Sequence, residues 1–499
     1  MTYTKAIVVT GLAVWWLLLL IVPAQAISIS SCEYWVAPGP VGNDANPGTS
    51  DQPWATLEHA GKTVQDDHCT VWFEPGIYLG GSRLNRQFKT ITTFRSQVPY
   101  QARLINSGAV VSISGGTNIT LEGFDIQHQG PGATPLVVAI DRSEQSWSEN
   151  ITLRNNIIHD SYNDDLLKIY DGCKQVLVEG NLFYNQGNSE EHMDVNSVLD
   201  VTIQNNIFFN SFESSGRENQ DLTKQYIVIK DSNGEEDGLV GSKHIYVQRN
   251  VFLNWEGQDK ETFVQVGLDG KPYFEAEDVY IRNNLLIGNS THQIGSAFGV
   301  RGAKDVYFLN NTVVGDLPSL SFAFRVTISD LNPRNQNIYF VNNIWSDPTG
   351  TMGADLRGSE NEFSDGHSAD TENLFLFNNL YWNGGLKIPG GDLVSPILAD
   401  TKRVVGNPLI ETNQEDIVLP IWTGDEFLSG EISIHDEFMR LVNQYGRIGS
   451  FSPAVGSGNP FFAPSDDILG LPRVYKPDIG AYQNNDWFIH WLNMMDELR

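Results

Sequence analysis

Basic residues are scarce in this chain: 32 lysines and arginines face 61 aspartates and glutamates, a net charge of −29. That balance sets aside nucleic acid and anionic membrane surfaces as partners, and it makes any local cluster of Lys and Arg informative. Cysteine is scarcer still, with three residues in the whole sequence. Cys32 and Cys69 each stand just before a candidate strand, so a disulfide between them would tie the amino-terminal region, as suits an oxidising compartment. Cys173 has no positive neighbour to lower its pKa and is expected as a buried strand-layer residue, not a nucleophile. Long apolar runs are absent apart from Ala6 to Val22, which follows Lys5 and precedes the small-x-small site Ala24-Gln25-Ala26. This reads as a signal peptide over residues 1–26, with an uncleaved anchor as the alternative. The expected location is secreted or periplasmic, with no membrane segment in the mature chain.

What the chain has in abundance is one short phrase. An apolar residue, any residue, an apolar residue, two more residues and an asparagine recur as Ile151, Leu153, Asn156; Val176, Val178, Asn181; and Val201, Ile203, Asn206. The series continues as Ile245, Val247, Asn250; Val279, Ile281, Asn284; Val306, Phe308, Asn311; Ile338, Phe340, Asn343; and Leu374, Leu376, Asn379. Ile119 and Leu121 precede them, with Phe124 in place of the asparagine. Spacing by two puts the apolar pair on one side of a strand, and asparagine tolerates a left-handed bend and can bond to its counterpart in the next coil. Successive intervals of 32, 25, 25, 44, 34, 27, 32 and 36 residues suit three short strands and three bends per coil, with loops inserted in the longer ones. The fold class expected is all-β, a parallel β-helix solenoid. A leucine-rich horseshoe fails on leucine spacing and lacks its helices, and the shortest coils cannot hold the four antiparallel strands of a propeller blade.

With these repeats the chain resembles the right-handed parallel β-helix superfamily of secreted, pectate-lyase-like carbohydrate-active proteins. Two flanking phrases add to the likeness: Tyr34-Trp35-Val36-Ala37-Pro38 with Pro53-Trp54-Ala55-Thr56-Leu57, and Pro477-Asp478-Ile479-Gly480-Ala481-Tyr482. The organisation expected is an N-terminal cap and first rungs over 27–110, with a short helix between Trp54 and Val64, then rungs over 111–390. An irregular extension over 391–499 follows, with a helical run from His435 to Tyr445 and a terminal helix from Trp487 to Leu498. One continuous domain begins at residue 27.

Function on such a solenoid lies on the outer face of one sheet, between loops inserted at neighbouring rungs. Counting back from the bends stacks Lys168 and Asp194 on adjacent rungs, with Lys230 facing outward in the next such strand. Around this column lie Asp164, Asp165, Glu190, Glu191, His192, Tyr170 and Asn196, with Arg301 and Arg325 further along. A column of cations and carboxylates suits an acidic polysaccharide. The pectate-lyase-like members that the chain resembles carry out β-elimination at a uronic acid whose carboxylate is neutralised by calcium or Arg while a Lys or Arg removes the C5 proton, and a lyase or epimerase is the expected kind of activity. On that reading Lys168 or Lys230 is the base, its pKa lowered by a neighbouring cation, with His192 and Asp194 also catalytic. Asp164, Asp165, Glu190, Glu191 and Asp194 are the metal ligands and calcium the cofactor. Arg217, Arg301, Arg325, Tyr170 and Asn196 bind substrate. The lyase signatures, the Asn-Thr-Asp and Gly-His-Gly pair of polygalacturonases and the Asp-Pro-His-Glu phrase of mannuronan epimerases are not found, so the resemblance implies a substrate class, not a reaction.

Other readings stay open. Paired carboxylates from Asp164, Asp165, Glu191, Asp194 and Asp231 would make a glycoside hydrolase. Tyr170, Trp255 and Tyr273 would be stacking platforms of a non-catalytic glycan-binding protein. Lys168 and Asp194 read equally as a cross-strand ion pair, Asp164-Asp165 as turn residues, His192 as a hydrogen-bonded structural histidine, and Asp231 to Asp237 as an acidic surface loop.

Overall fold

The computed structural model describes residues 32–485 apart from 189, 213–215, 218–222, 291, 316–320, 355–360, 392 and 411–415. The segment 1–26 and the helix expected from Trp487 to Leu498 lie outside the described residues. Alternating apolar residues dictate the architecture. Ile119, Ile151, Val176, Val201, Ile245, Val279, Val306, Ile338 and Leu374 sit opposite one another, rung by rung, in a single parallel register. Three parallel sheets of twelve, ten and twelve strands result among the described residues, each strand pairing with its counterpart one coil away. This is a parallel β-helix. Each fully buried aliphatic side chain inside it contributes about 1.5–3 kcal/mol.

The asparagines act as expected in one respect and differ in another. Asn156, Asn181, Asn206, Asn250, Asn284, Asn311, Asn343 and Asn379 form a buried ladder in which each side-chain amide donates to the next Oδ1 at 2.9–3.1 Å. Each also donates to a strand carbonyl, as Asn181 does to Leu153 at 2.9 Å. The left-handed backbone belongs to the preceding residue: Asn155, Gly180, Asn205, Arg249, Asn283, Asn310, Asn342 and Asn378 all have positive φ. Tandem asparagines therefore divide the work, the first bending the chain and the second joining the ladder. Phe124 lacks the side chain to extend it and contributes only its backbone N–H, which donates to Asn156 Oδ1 at 3.0 Å. At the other end Asp400 accepts from the Asn379 amide at 2.9 Å and closes the series.

The ends and one flank are covered. A helix over Leu57–Thr63, capped by the Thr56 side chain, closes the first rungs, and a disulfide joins Cys32 to Cys69 beside it. Cys173 is buried and free. The extension beyond residue 391 builds a second hydrophobic core on the outside of the third sheet. There Ile157, Leu182, Ile207, Val251, Leu285, Ile344 and Leu380 meet Ile434, Phe438, Leu441 and Val442, largely from the helix Ile434–Tyr445. The residue after all but one of the asparagine bends is apolar because it faces outward into this cover; the exception, Thr312, accepts the Ala481 N–H at 2.9 Å. Among the described residues no helix is long and apolar enough to cross a membrane.

Candidate functional site

The second, ten-stranded sheet carries the polar column. Lys168 on the strand Leu167–Tyr170 lies directly opposite Asp194 on Met193–Asn196, which lies opposite Val228 on Gln225–Lys230. Tyr170, Asn196 and Lys230 form a second column two residues along the same strands. Strand alternation turns Leu167, Ile169, Met193, Val195, Ile227 and Ile229 into the core and leaves these polar residues on the outer face.

Lys168 Nζ stands 2.8 Å from Asp194 Oδ2 and 3.6 Å from Asp165 Oδ2, while Lys230 Nζ is 3.7 Å from both Asp194 and Asp269. Asp194 and Asp165 are buried beneath the partly exposed lysines, and Glu191 is buried beside them. The carboxylate oxygens of Asp165, Glu191 and Asp194 come within 4.8 Å of one another, and so do those of Asp164, Asp165 and Glu190. One oxygen of each buried carboxylate, Asp165 Oδ2, Glu191 Oε2 and Asp194 Oδ1, has no hydrogen-bond partner among the described residues. Burial and then mutual repulsion raise Asp165 well above the usual carboxylate range and Glu191 to about 8. Three buried carboxylates with vacant lone pairs on hard oxygen donors fit a divalent cation such as calcium.

Electrostatics reverses one expectation. Burial disfavours charge on Lys168 and Lys230, but Asp194, with Asp165 beside Lys168 and Glu191 beside Lys230, outweighs it and raises both lysines above their ordinary pKa. They stand as ammonium groups, not as free bases, because their nearest neighbours are carboxylates.

Other expected residues divide between this site and structural roles. Tyr170 donates to Asp141 at 3.2 Å, with the Lys168 ammonium 5.7 Å from its ring centre. Asn196 exchanges hydrogen bonds with Ser232, whose hydroxyl donates to Asp269. His192 is not on the open face. It is fully buried at the strand corner, bonded to Asn210 at 2.9 Å and tilted over Tyr226, and burial lowers its pKa to about 3. Arg217 lies elsewhere, binding Asp160 at 3.0 Å and the carbonyls of Asn185 and Ser161 across the Tyr162 ring. Asp231 is a buried turn residue whose carboxylate accepts the N–H groups of Asn233, Gly234 and Gly241. Trp255 is buried and offers no stacking face, and Tyr273, half-buried, turns its hydroxyl to the Asp231 carbonyl. Arg301 and Arg325 share the sheet but lie several rungs away.

Asp269 was not foreseen. It sits on a loop inserted after Thr262–Val266, held by the buried Glu275, whose carboxylate accepts the N–H groups of Leu268 and Asp269 at 2.8 Å and of Lys271 at 3.1 Å. The acidic Asp269 and Glu275 were visible in the sequence, but nothing in the repeat phrase reaches across such a loop.

No protein-family profile matches the chain, and no curated protein matches it in sequence. Among solved structures, XylC in complex with xylose aligns at TM-score 0.48 and 10% identity, covering 91% of this chain and 98% of that one. Pectate lyase Pel9A aligns at 0.40 and 14%, covering 92% and 98%. The A-module of the Azotobacter vinelandii mannuronan C-5 epimerase AlgE6 aligns at 0.40 and 13%, covering 68% and 91%. These are distant likenesses in chain path, and the β-helix stands on the chain's own three parallel sheets.

Proposed function

We propose that this is an exported carbohydrate-active β-helix protein that acts on an acidic, uronic-acid glycan as a lyase or epimerase, with its centre at Lys168, Asp194 and Lys230. The observation that carries this reading is the pairing of two ammonium groups on the outer sheet face with three buried carboxylates, each keeping one oxygen without a hydrogen-bond partner among the described residues. Loss of the proton at C5 of a uronate, taken up by the partly exposed Asp269 carboxylate in place of the protonated lysines, builds negative charge next to the uronate's own carboxylate, so neutralising that carboxylate lowers the barrier. Lys168 and Lys230, held protonated, bind and neutralise it. Asp165, Glu191 and Asp194 would hold a calcium ion, which when bound supplies further neutralisation. Asp269, positioned by Glu275, and Asn196 orient Lys230 and the adjoining loop. The glycoside hydrolase reading is disfavoured by geometry. Its two carboxyl groups flank the scissile bond at roughly 5–9.5 Å, whereas here the carboxylates converge on one another beneath two lysines.

The test is incubation with polygalacturonate and with alginate in calcium, reading ultraviolet absorbance of unsaturated ends and deuterium uptake at C5. We expect one signal with the wild type and its loss by roughly a hundredfold or more in Lys168→Met and Lys230→Met. Binding of uronans without either signal would favour a glycan-binding protein. Neither binding nor signal would overturn the reading.

A further inference from the structure

The columns on the second sheet continue beyond the central site. Val228 lies opposite Gln265, Gln265 opposite Gly299, and Gly299 opposite Arg325, so Arg325 stands in the same column as Lys168, five rungs along. Arg301 stands two residues beyond Gly299 on its strand, as Lys230 stands two beyond Val228, so these two share the second column. Lys168 to Lys230 is two rungs, Lys230 to Arg301 two more, and Arg301 to Arg325 one. At ~4.8 Å per rung the cations span ~24 Å along the solenoid axis. Between them the floor is low. A Cβ on Gly299 would meet Gln265 Oε1 at 1.9 Å, so the glutamine amide lies flat across the glycine, itself tied to the Gly267 carbonyl at 2.7 Å.

The two arginines are incompletely satisfied. Arg325 donates to Asp365 at 2.8 Å and to the Lys260 carbonyl at 2.7 Å. Arg301 makes no hydrogen bond or ion pair among the described residues, and its Nε is buried without a partner. Burial and the charge of Arg325 both press its pKa down, and Glu261 opposes them only in part. A desolvated guanidinium beside a second one, with donors left over, is a fork for a carboxylate.

We propose that Arg301 and Arg325 form a second carboxylate subsite on the same sheet face, so that an acidic glycan lies along the solenoid axis and is gripped at two places. The proposal rests on the acidic-glycan reading of the central site and adds direction and chain length to it. An oligosaccharide too short to span from Lys168 to Arg325 reaches one grip only, whereas a longer chain reaches both and gains the affinity of the second without new cost in orientation.

The experiment is calorimetric titration of the full chain with oligogalacturonates and oligomannuronates of about three and about nine units, alongside Arg301→Gln and Arg325→Gln. Arg301→Gln breaks no hydrogen bond, so its thermal midpoint should match the wild type and certify folding. We expect the long oligomer to bind the wild type at least tenfold more tightly than the short one. Arg301→Gln should remove roughly tenfold or more of that affinity and leave the short oligomer unchanged. Equal binding of both lengths, unaffected by either substitution, would overturn the second subsite and leave the central reading standing. No binding of either length to the wild type would overturn both.

Discussion

The asparagine ladder and the lysine–carboxylate column are both rows of buried polar side chains repeated along the same solenoid, and they are finished to different degrees. In the ladder every amide meets a carbonyl and every Oδ1 accepts from the neighbouring rung, so the row is neutral and closed. In the column three buried carboxylates keep an oxygen without a partner, and two lysines share what remains. A closed buried network rigidifies a fold. An open one destabilises it unless something else completes it. The contrast separates residues that hold the coil together from residues kept for a ligand.

The largest expected effect lies in the ladder. Asn206→Ala leaves the N–H and side-chain amide of Asn181 without their acceptor and the Val178 carbonyl without its donor. Stability should fall by roughly 3 kcal/mol or more, read from the urea midpoint. A loss near zero would mean that the ladder and the column do not differ as described.

An intermediate case sharpens the comparison. His159 is buried and charged yet completely partnered, bonding Asp160 at 2.8 Å and Asp125 at 3.1 Å. These two in turn meet Arg217 and Arg103. Burial works against its charge, but the two aspartates prevail and raise its pKa to about 9. A histidine raised above its unfolded value adds stability that is whole below about pH 6.5 and is lost as pH rises through about 9, amounting to roughly 3 kcal/mol. Unfolding measured across that window should show the loss in the wild type, and in His159→Gln only the smaller decline that Glu191 contributes below about pH 8.

The third effect is smaller and of opposite sign to the first. Glu191 titrates in the usual carboxylate range when unfolded but near 8 when folded, so without a divalent cation native stability falls as pH rises between the two. Glu191→Gln should remove that slope and, in chelator at alkaline pH, raise stability by about 1 kcal/mol. A destabilised variant under those conditions would place Glu191 with the closed networks.

Much of this was legible in the sequence because a solenoid makes register a matter of counting. Lys168 and Asp194 fall opposite one another because their distances to the ladder asparagines differ by a single residue, and the apolar pairs announce the inward face. Burial was not legible. The lysines were expected to lose proton affinity, and they gain it, because the sequence does not show that Asp165, Glu191 and Asp194 converge beneath them. His192 alternates correctly with its strand but lies at its corner, where the chain turns inward, so parity fails there. The apolar residues that follow most of the bends face the C-terminal cover, which only the fold shows, since the cover shares no repeat with them. Arg217 belongs to an inserted segment whose path no periodicity fixes.

The most direct test of the column's openness is the thermal midpoint in excess calcium against chelator, for the wild type and Asp194→Ala. A cation completing Asp165, Glu191 and Asp194 stabilises the folded chain by mass action, by about 2.7 kcal/mol at a hundredfold excess over Kd. The wild-type midpoint should therefore rise in calcium, and Asp194→Ala should lose most of the rise. Equal wild-type midpoints in calcium and in chelator would contradict the account and leave Lys168 and Lys230 as the neutralising groups at that centre.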